Sequence, residues 1–515
     1  MKKTLFVKNA AVLTATSLLL RFAGIVFKVW LAKKIGADGM GLYSLVFSLY
    51  AVAAAGAAGG LPVAVTRLVA ESGESGAKSR KRILSAAFGV NLAVSLAIGA
   101  VLFFGAGFLA GGVIGDSRAV LAIRVLSFSV VFMGLGSVIR GYFIARRNAT
   151  PNALSLVLEQ ACRIGTVLLA VRLTRGSDLS YTCAAVFAGD TAAEILSCLF
   201  LCLRCRRDLK KQPEGAADTP RVLRRIIGIS APITAGKYLN SLLRAAENML
   251  VPRALYRFSK KGALALFGMI KGMALPILFF PSVLLNAVST LLVPEMSEAA
   301  LHRRTFAVRS AVEQVICSAA ITGFIFSALF ACAGYKIGFL LYKSADVGFL
   351  ITALAPIVPL MYLDSLCDGL LKGLNQQNFT FLVSVADSAL RLLFVFPVLS
   401  RFGIRGFLVI MYFSNLFTAF LNVRRLIKIS RAAVNVQKTV LTPLLCAFCT
   451  ALITKVVLDA FHLGDLVYIM LLSGISITAY ALLLIHFGCM DFWITGRMRT
   501  HKKYAAKITA TSLIK

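Results

Sequence analysis

The feature that most constrains this chain is the recurrence of apolar stretches long enough to cross a lipid bilayer. A crossing helix needs about 20 consecutive, mostly apolar residues. Windows of that length fall at 8–32, 41–67, 83–113, 119–144, 151–173, 181–204, 225–251, 263–291, 309–333, 346–371, 379–398, 405–427, 439–460 and 465–488. They predict an all-α integral membrane protein with about 14 transmembrane helices. Composition agrees: 58% of the 515 residues are hydrophobic, against about 45–50% in a soluble domain. The surplus has no place in one soluble core, which stops growing near ~300 residues.

Orientation is read from Lys and Arg in the short loops. Lys78 to Arg82, Arg146 and Arg147, Arg206 to Lys211, Arg303 and Arg304, and Arg424 to Lys428 all fall on one side. Arg497, Arg499, Lys502 and Lys503 put the C-terminus there too. The expected placement is a plasma membrane with both termini cytoplasmic. The loop 253–261 is the main exception. A formal charge of +34 is thus explained by cytoplasmic loops, and no nucleic-acid partner is expected. The apolar run after Met1-Lys2-Lys3 continues past Arg21 to Leu31 without a small-residue cleavage site, and reads as an uncleaved first span.

The chain divides into an N-terminal six-helix lobe (1–204), a cytoplasmic linker (205–224), a C-terminal six-helix lobe (225–430), two additional helices (431–490) and a basic cytoplasmic tail (491–515). Two six-span lobes of equal orientation imply a repeat about a pseudo-twofold along the membrane normal. The fourth span ends Arg140-Gly141, then Asn148-Ala149-Thr150; the tenth ends Lys372-Gly373, then Asn378-Phe379-Thr380. The fifth span carries Glu159 and Arg163, and the eleventh carries Asp387 and Arg391. The offset between matching positions stays at about 230 residues.

Ionisable groups at membrane depth are costly, so each is a candidate for function. In the first span Thr14, Ser17, Arg21, Gly24 and Lys28 form one stripe at helical spacing; in the seventh, Lys237, Asn240, Ser241, Arg244, Glu247 and Asn248 do the same. Stripes at matching positions of two lobes point to a cavity between the repeats. Arg21, Lys28, Lys237 and Arg244 are the candidates for substrate binding; snorkelling to the surface is the alternative for Lys28 and Lys237. Asn240, Glu247, Asp364 and Asp368 are candidates for cavity polarity or ion coupling. Glu159 with Arg163 and Asp387 with Arg391 read as structural ion pairs at i,i+4. Asp190, Glu194, Asp364 and Asp368 show no basic partner in their own helices, and neutralising a basic stripe, carrying protons or lying at a wet end all stay open. Gly56, Gly59, Gly60 and Pro62 interrupt the second span, as Pro276 and Pro281 interrupt the eighth. Such breaks mark either moving, cavity-lining segments or close packing. The 11 cysteines lie mostly in apolar runs and read as small apolar filler. No metal site is expected. His302, His462, His486 and His501 are scattered, and no P-loop, HExxH or GxSxG motif is present, so no enzymatic activity or cofactor is expected.

The segments SLLLRFAGIVFKVWLAKKIGADGMGLYSL, SLVLEQACRIGTVLL (155–169) and ALFGMIKGMALPILFFPSVLLNAVSTLLVPEMSEA (265–299) resemble the stage V sporulation protein B branch of polysaccharide exporters. The resemblance covers most of residues 1–430. Its wider superfamily includes multidrug and toxin extrusion transporters, O-antigen flippases and the lipid II flippase of peptidoglycan synthesis. It implies two six-helix lobes around a central cavity, two extra helices and no nucleotide hydrolysis. It also implies a lipid-linked pyrophosphate met by basic residues of the first helix. Arg21 stands at a matching Arg-x-x-Gly start, and Lys28 loosely matches the next basic position. The expected function is flipping of a polyprenyl-pyrophosphate oligosaccharide or peptidoglycan precursor to the outer leaflet by alternating access. Coupling would be to an ion gradient or the membrane potential, and the candidate partners are lipids and cell-wall synthesis proteins. The alternatives are an ion-coupled multidrug or metabolite antiporter, which would want an acidic cavity, and a membrane scaffold for cell-wall synthesis.

Overall fold

The computed structural model describes residues 2–72, 76–174, 176, 178–211, 221–259, 262–283, 285, 296, 298, 302 and 305–489, with side chains from residue 15 onward except at 76 and 77. Linker residues 212–220, Arg303, Arg304 and the basic tail 491–515 lie outside the described residues. The protein is an all-α membrane protein. Among the described residues, ten helices are long and apolar enough to cross a membrane.

Helix α1 spans Lys2–Ala58 and α2 spans Leu61–Glu71. Helices α3 (Gly76–Phe104), α4 (Val120–Ala145), α5 (Thr150–Leu173) and α6 (Leu179–Lys210) follow. Next come α7 (Val222–Phe258) and α8 (Ala263–Gly268), the latter running through a π-helical turn, Met269–Ala274, into α9 (Leu275–Phe279). After them are α10 (Thr305–Tyr342), α11 (Ala345–Leu354), α12 (Val358–Gly373), α13 (Gln377–Ser430), α14 (Thr442–Asp459) and α15 (Asp465–His486).

Two helices are too long for one crossing. At 1.5 Å per residue the 57 residues of α1 would extend about 85 Å, against a hydrocarbon core of about 30 Å. The helix is broken at Gly36, whose φ of 72° and ψ of −175° are not helical. The 54-residue α13 breaks likewise at Gly403, with φ 55° and ψ −131°. Both breaks fall where hydropathy separates two expected spans. The gap is bridged by a kink and not by a loop, because a backbone in lipid keeps its hydrogen bonds by staying helical up to the break.

The chain packs as two units, residues 1–283 with 381–414 and residues 284–380 with 415–515. This division by packing differs in kind from the division by sequence duplication. In the first unit Leu61, Val65, Ile83, Val138, Ile139, Tyr142 and Ile226 bring α2, α3, α4 and α7 into one core. In the second, Ala328, Ala447, Leu472 and Tyr480 join α10, α14 and α15. Outside these cores Val456, Leu445, Met470 and Leu482 are all more than half exposed. Large apolar side chains in that number on two helices are what a lipid-facing surface requires.

The Gly36 break yields a prediction. No side chain crowds this residue, so Gly36→Ala brings only backbone strain, about 1–3 kcal/mol. It should lower the thermal midpoint in detergent. Gly165→Ala, in a helix and with nothing within 4 Å, should leave the midpoint unchanged or raise it. Equal midpoints for the two variants would show that the kink does not need glycine.

Candidate functional site

Charged side chains of the first unit sort into two groups, those with partners and those without. Arg163 on α5 lies between two carboxylates: Nη2 is 3.1 Å from Glu159 Oε1 and Nε is 2.8 Å from Asp190 Oδ1 on α6. Arg140 on α4 reaches the other oxygen of Glu159 at 2.7 Å and donates to Ser197 Oγ at 3.0 Å. What spacing marks as a local pair is therefore part of a network tying α4, α5 and α6. The contribution of Arg140 and Asp190 has no signal in helical spacing, because it arises from helix packing.

Around Arg391 the same pattern returns. Its Nη2 lies 3.1 Å from Asp387 Oδ2, one turn away, and Nη1 lies 3.5 Å from Glu247 Oε1 on α7. Arg391 Nε donates to Ser414 Oγ at 2.6 Å, and that hydroxyl donates to Asp387. Lys271, in the π-helical turn, stands 3.7 Å from Glu247. Asn240 accepts from Ser384 Oγ at 2.9 Å. Glu247 and Asn240 are thus engaged by side chains of the same unit. Lys271 escaped the sequence reading, although a lone Lys inside the apolar stretch 263–291 was signal enough.

Lys237 is used on backbone. The helix breaks between α1 and α2 at Gly59 and Gly60, and Lys237 Nζ donates to Gly59 O at 2.7 Å. Thr234 Oγ1 accepts from Gly60 N at 2.9 Å. Two residues of α7 one turn apart thereby satisfy backbone groups that the break frees.

Arg21, Lys28 and Arg244 behave differently. All three are exposed, and none makes an ion pair or hydrogen bond among the described residues. Lys28 lines a cavity of about 370 Å³ together with Tyr43, Tyr50, Arg163, Asp190 and Glu194.

In the second unit Asp364 accepts from Asn422 Nδ2 at 2.8 Å, and Asp368 lies 2.5 Å from Lys372 Nζ. The expectation that Asp368 lacks a basic partner in its own helix is thereby corrected. Lys372 follows it by four residues, a spacing as readable as that of Glu159 and Arg163. Among the described residues no group of three or more His, Cys, Asp or Glu is arranged to hold a metal ion.

The model of the polysaccharide biosynthesis protein family matches residues 6–300. The chain is a member of that family. It is 26% identical over 416 residues to the stage V sporulation protein B of Bacillus subtilis (strain 168), covering 79% of this chain and 80% of the relative. A shorter stretch of 175 residues, 32% of each chain, is 26% identical to the lipid II flippase MurJ of the same organism. Among solved structures, the lipid II flippase MurJ in an inward closed conformation superposes with a TM-score of 0.69 at 14% identity, covering 94% of this chain and 99% of that one. An inward-facing multidrug resistance MATE transporter of the MOP superfamily gives 0.64 at 14% identity, covering 81% and 98%. The chain shares its fold with these solved transporters, and this family member is a multi-pass membrane protein.

The network alters what substitution should do. Removing one partner of a buried ion pair costs about 3–5 kcal/mol. Glu159→Ala leaves both Arg140 and Arg163 short of a partner, so folded yield should fall. Adding Arg163→Leu should not restore it, because Arg140 stays unpaired and Asp190 loses its guanidinium. Full recovery of yield in the double variant would mean that Glu159 and Arg163 form an isolated pair.

Proposed function

We propose that this protein flips a lipid-linked precursor with an anionic pyrophosphate, an oligosaccharide or peptidoglycan unit on a polyprenyl carrier, from the cytoplasmic to the outer leaflet. One observation carries the reading: among the described residues Arg21, Lys28 and Arg244 are exposed cations with no ion pair or hydrogen bond, while Arg163 and Arg391 are each paired with two carboxylates. An unpaired guanidinium at membrane depth is costly unless an anion visits it, and a guanidinium holds phosphate oxygens with two parallel hydrogen bonds. The relative named above as a lipid II flippase favours the same cargo class. The headgroup enters the cavity while its polyprenyl tail stays in lipid. The two repeats then rock, and the glycan is released outside. The driving force is an ion gradient or the membrane potential. Lys237, held on the Gly59 carbonyl, supports the helix break and not the cargo. An antiporter for cationic drugs is the less favoured reading, because Asp364 and Asp368, the acids that would favour it, are engaged by Asn422 and Lys372.

In the proposed orientation, in a bacterial plasma membrane, the basic loops and both termini face the cytoplasm. Cysteine placed at Lys211 should be labelled only from the cytoplasmic side, and cysteine at Lys343 only from outside, in a background cleared of native cysteines. Labelling of both from one side would overturn this orientation.

Arg21→Ala and Arg244→Ala test the cargo. Each charge-assisted hydrogen bond contributes about 1.5–3 kcal/mol, so each variant should bind a lipid pyrophosphate about one to two orders of magnitude more weakly. Solubilised yield should be nearly unchanged, since among the described residues neither guanidinium makes an ion pair or hydrogen bond that the substitution would remove. Arg→Lys should rescue in part, because Lys offers a point charge without the planar fork. Stable Ala variants that bind and flip the lipid normally would contradict the reading.

A further inference from the structure

The cavity beside Lys28 holds a second unpartnered group, Glu194. This carboxyl is only 8% exposed and makes no ion pair or hydrogen bond among the described residues. It lines the cavity one helical turn beyond Asp190. A buried carboxylate without a partner is among the most costly groups a protein can hold. Two resolutions are open: a bound cation or a proton. A metal ion fits poorly, because the Arg163 guanidinium already occupies the space between Glu159 and Asp190, and no group of three ligating side chains converges among the described residues.

The groups that face Glu194 can be counted by helix. Its own helix α6 supplies Asp190 and Cys198, α5 supplies Glu159 and Arg163, α4 supplies Arg140, and α1 supplies Tyr50. Across the cavity α1 adds Lys28 and Tyr43. The bilayer part of α3, 83–104, has no titratable side chain. The charged residues lining the cavity are then two cations, Lys28 and Arg163, and two acids, Asp190 and Glu194. With Glu194 ionised the lining sums to zero. With Glu194 protonated it carries one positive charge.

We propose that Glu194 is a proton-binding site and that its protonation switches the cavity from neutral to cationic, so that a proton and an anionic phosphate group bind with positive linkage. The O–H bond forms on the Glu194 carboxyl with a proton from the aqueous side and breaks when the anion leaves. Linkage is reciprocal: the anion draws a proton onto Glu194 by the factor with which the proton tightens the anion. Removing one like charge from a cavity of this size should change anion affinity roughly tenfold. This linkage rests on the anionic cargo proposed above; the proton site does not.

Two measurements on the full chain in detergent separate the claims. The first follows the infrared C=O stretch of protonated carboxyls in a pH titration without ligand. A titrating band in the wild type that is lost in Glu194→Gln and displaced in Glu194→Asp is the expected result. No such band in the wild type, or an unaltered band in both variants, overturns the proton site. The second measures binding of inorganic pyrophosphate at pH 6 and pH 8. The ligand's own titration is common to all variants, so the comparison between them is what counts. Glu194→Gln should keep at pH 8 the affinity that the wild type loses by roughly tenfold, and Glu194→Asp should restore the wild-type loss. Parallel pH profiles for wild type and Glu194→Gln overturn the linkage. Failure of every variant to bind pyrophosphate at either pH overturns the anionic cargo and the linkage with it, and leaves the infrared result to decide the proton site.

Discussion

A charge carried into the bilayer must find an opposite charge, a wet cavity or a ligand, and the first unit of this protein is organised by that requirement. Arg163 takes two carboxylates from two helices, and Arg391 does the same with Asp387 and Glu247. Each arrangement ties helices together and leaves its arginine without free charge. Against this paired background, the side chains that stay unpaired gain meaning. Among the described residues Arg21, Lys28, Arg244 and Glu194 make no ion pair or hydrogen bond, and these are groups a visiting anion or proton would satisfy.

The backbone obeys the same rule. A helix broken at Gly59 and Gly60 exposes an amide and a carbonyl, and α7 supplies Thr234 and Lys237 to meet them. Lys237, which its place in a polar stripe marks as a ligand candidate, donates here to a backbone carbonyl. The break also brings chain segments close: a Cβ at Gly141 would lie 2.9 Å from the Cα of Pro62, so α4 meets the start of α2 with only a hydrogen atom between them. Breaks of this kind let a helix bend without leaving polar backbone groups in hydrocarbon.

How much of this was readable in the sequence depends on the range of the interaction. Hydropathy finds the helices because lipid acts on each residue separately. It also finds the breaks at Gly36 and Gly403, as gaps at 33–40 and 399–404, although it reads as loops what are kinks in continuous helices. Spacing within one helix reveals Glu159 with Arg163, and would equally have revealed Asp368 with Lys372. Arg140, Asp190 and Lys271 find their partners only when helices pack, and no period in the sequence carries that information. The free state of Arg21 and Arg244 is of the same kind, since being unpaired is a property of the surroundings.

The central claim is that the unpaired cations Arg21, Lys28 and Arg244 select an anionic lipid cargo, and a transport measurement tests it most directly. Purified protein in liposomes would be scored side by side for translocation of lipid II and of a cationic dye. The account predicts movement of lipid II to the opposite leaflet, no accumulation of the dye, and inhibition of lipid II movement by added lipid pyrophosphate. Accumulation of the dye with no movement of lipid II would contradict it.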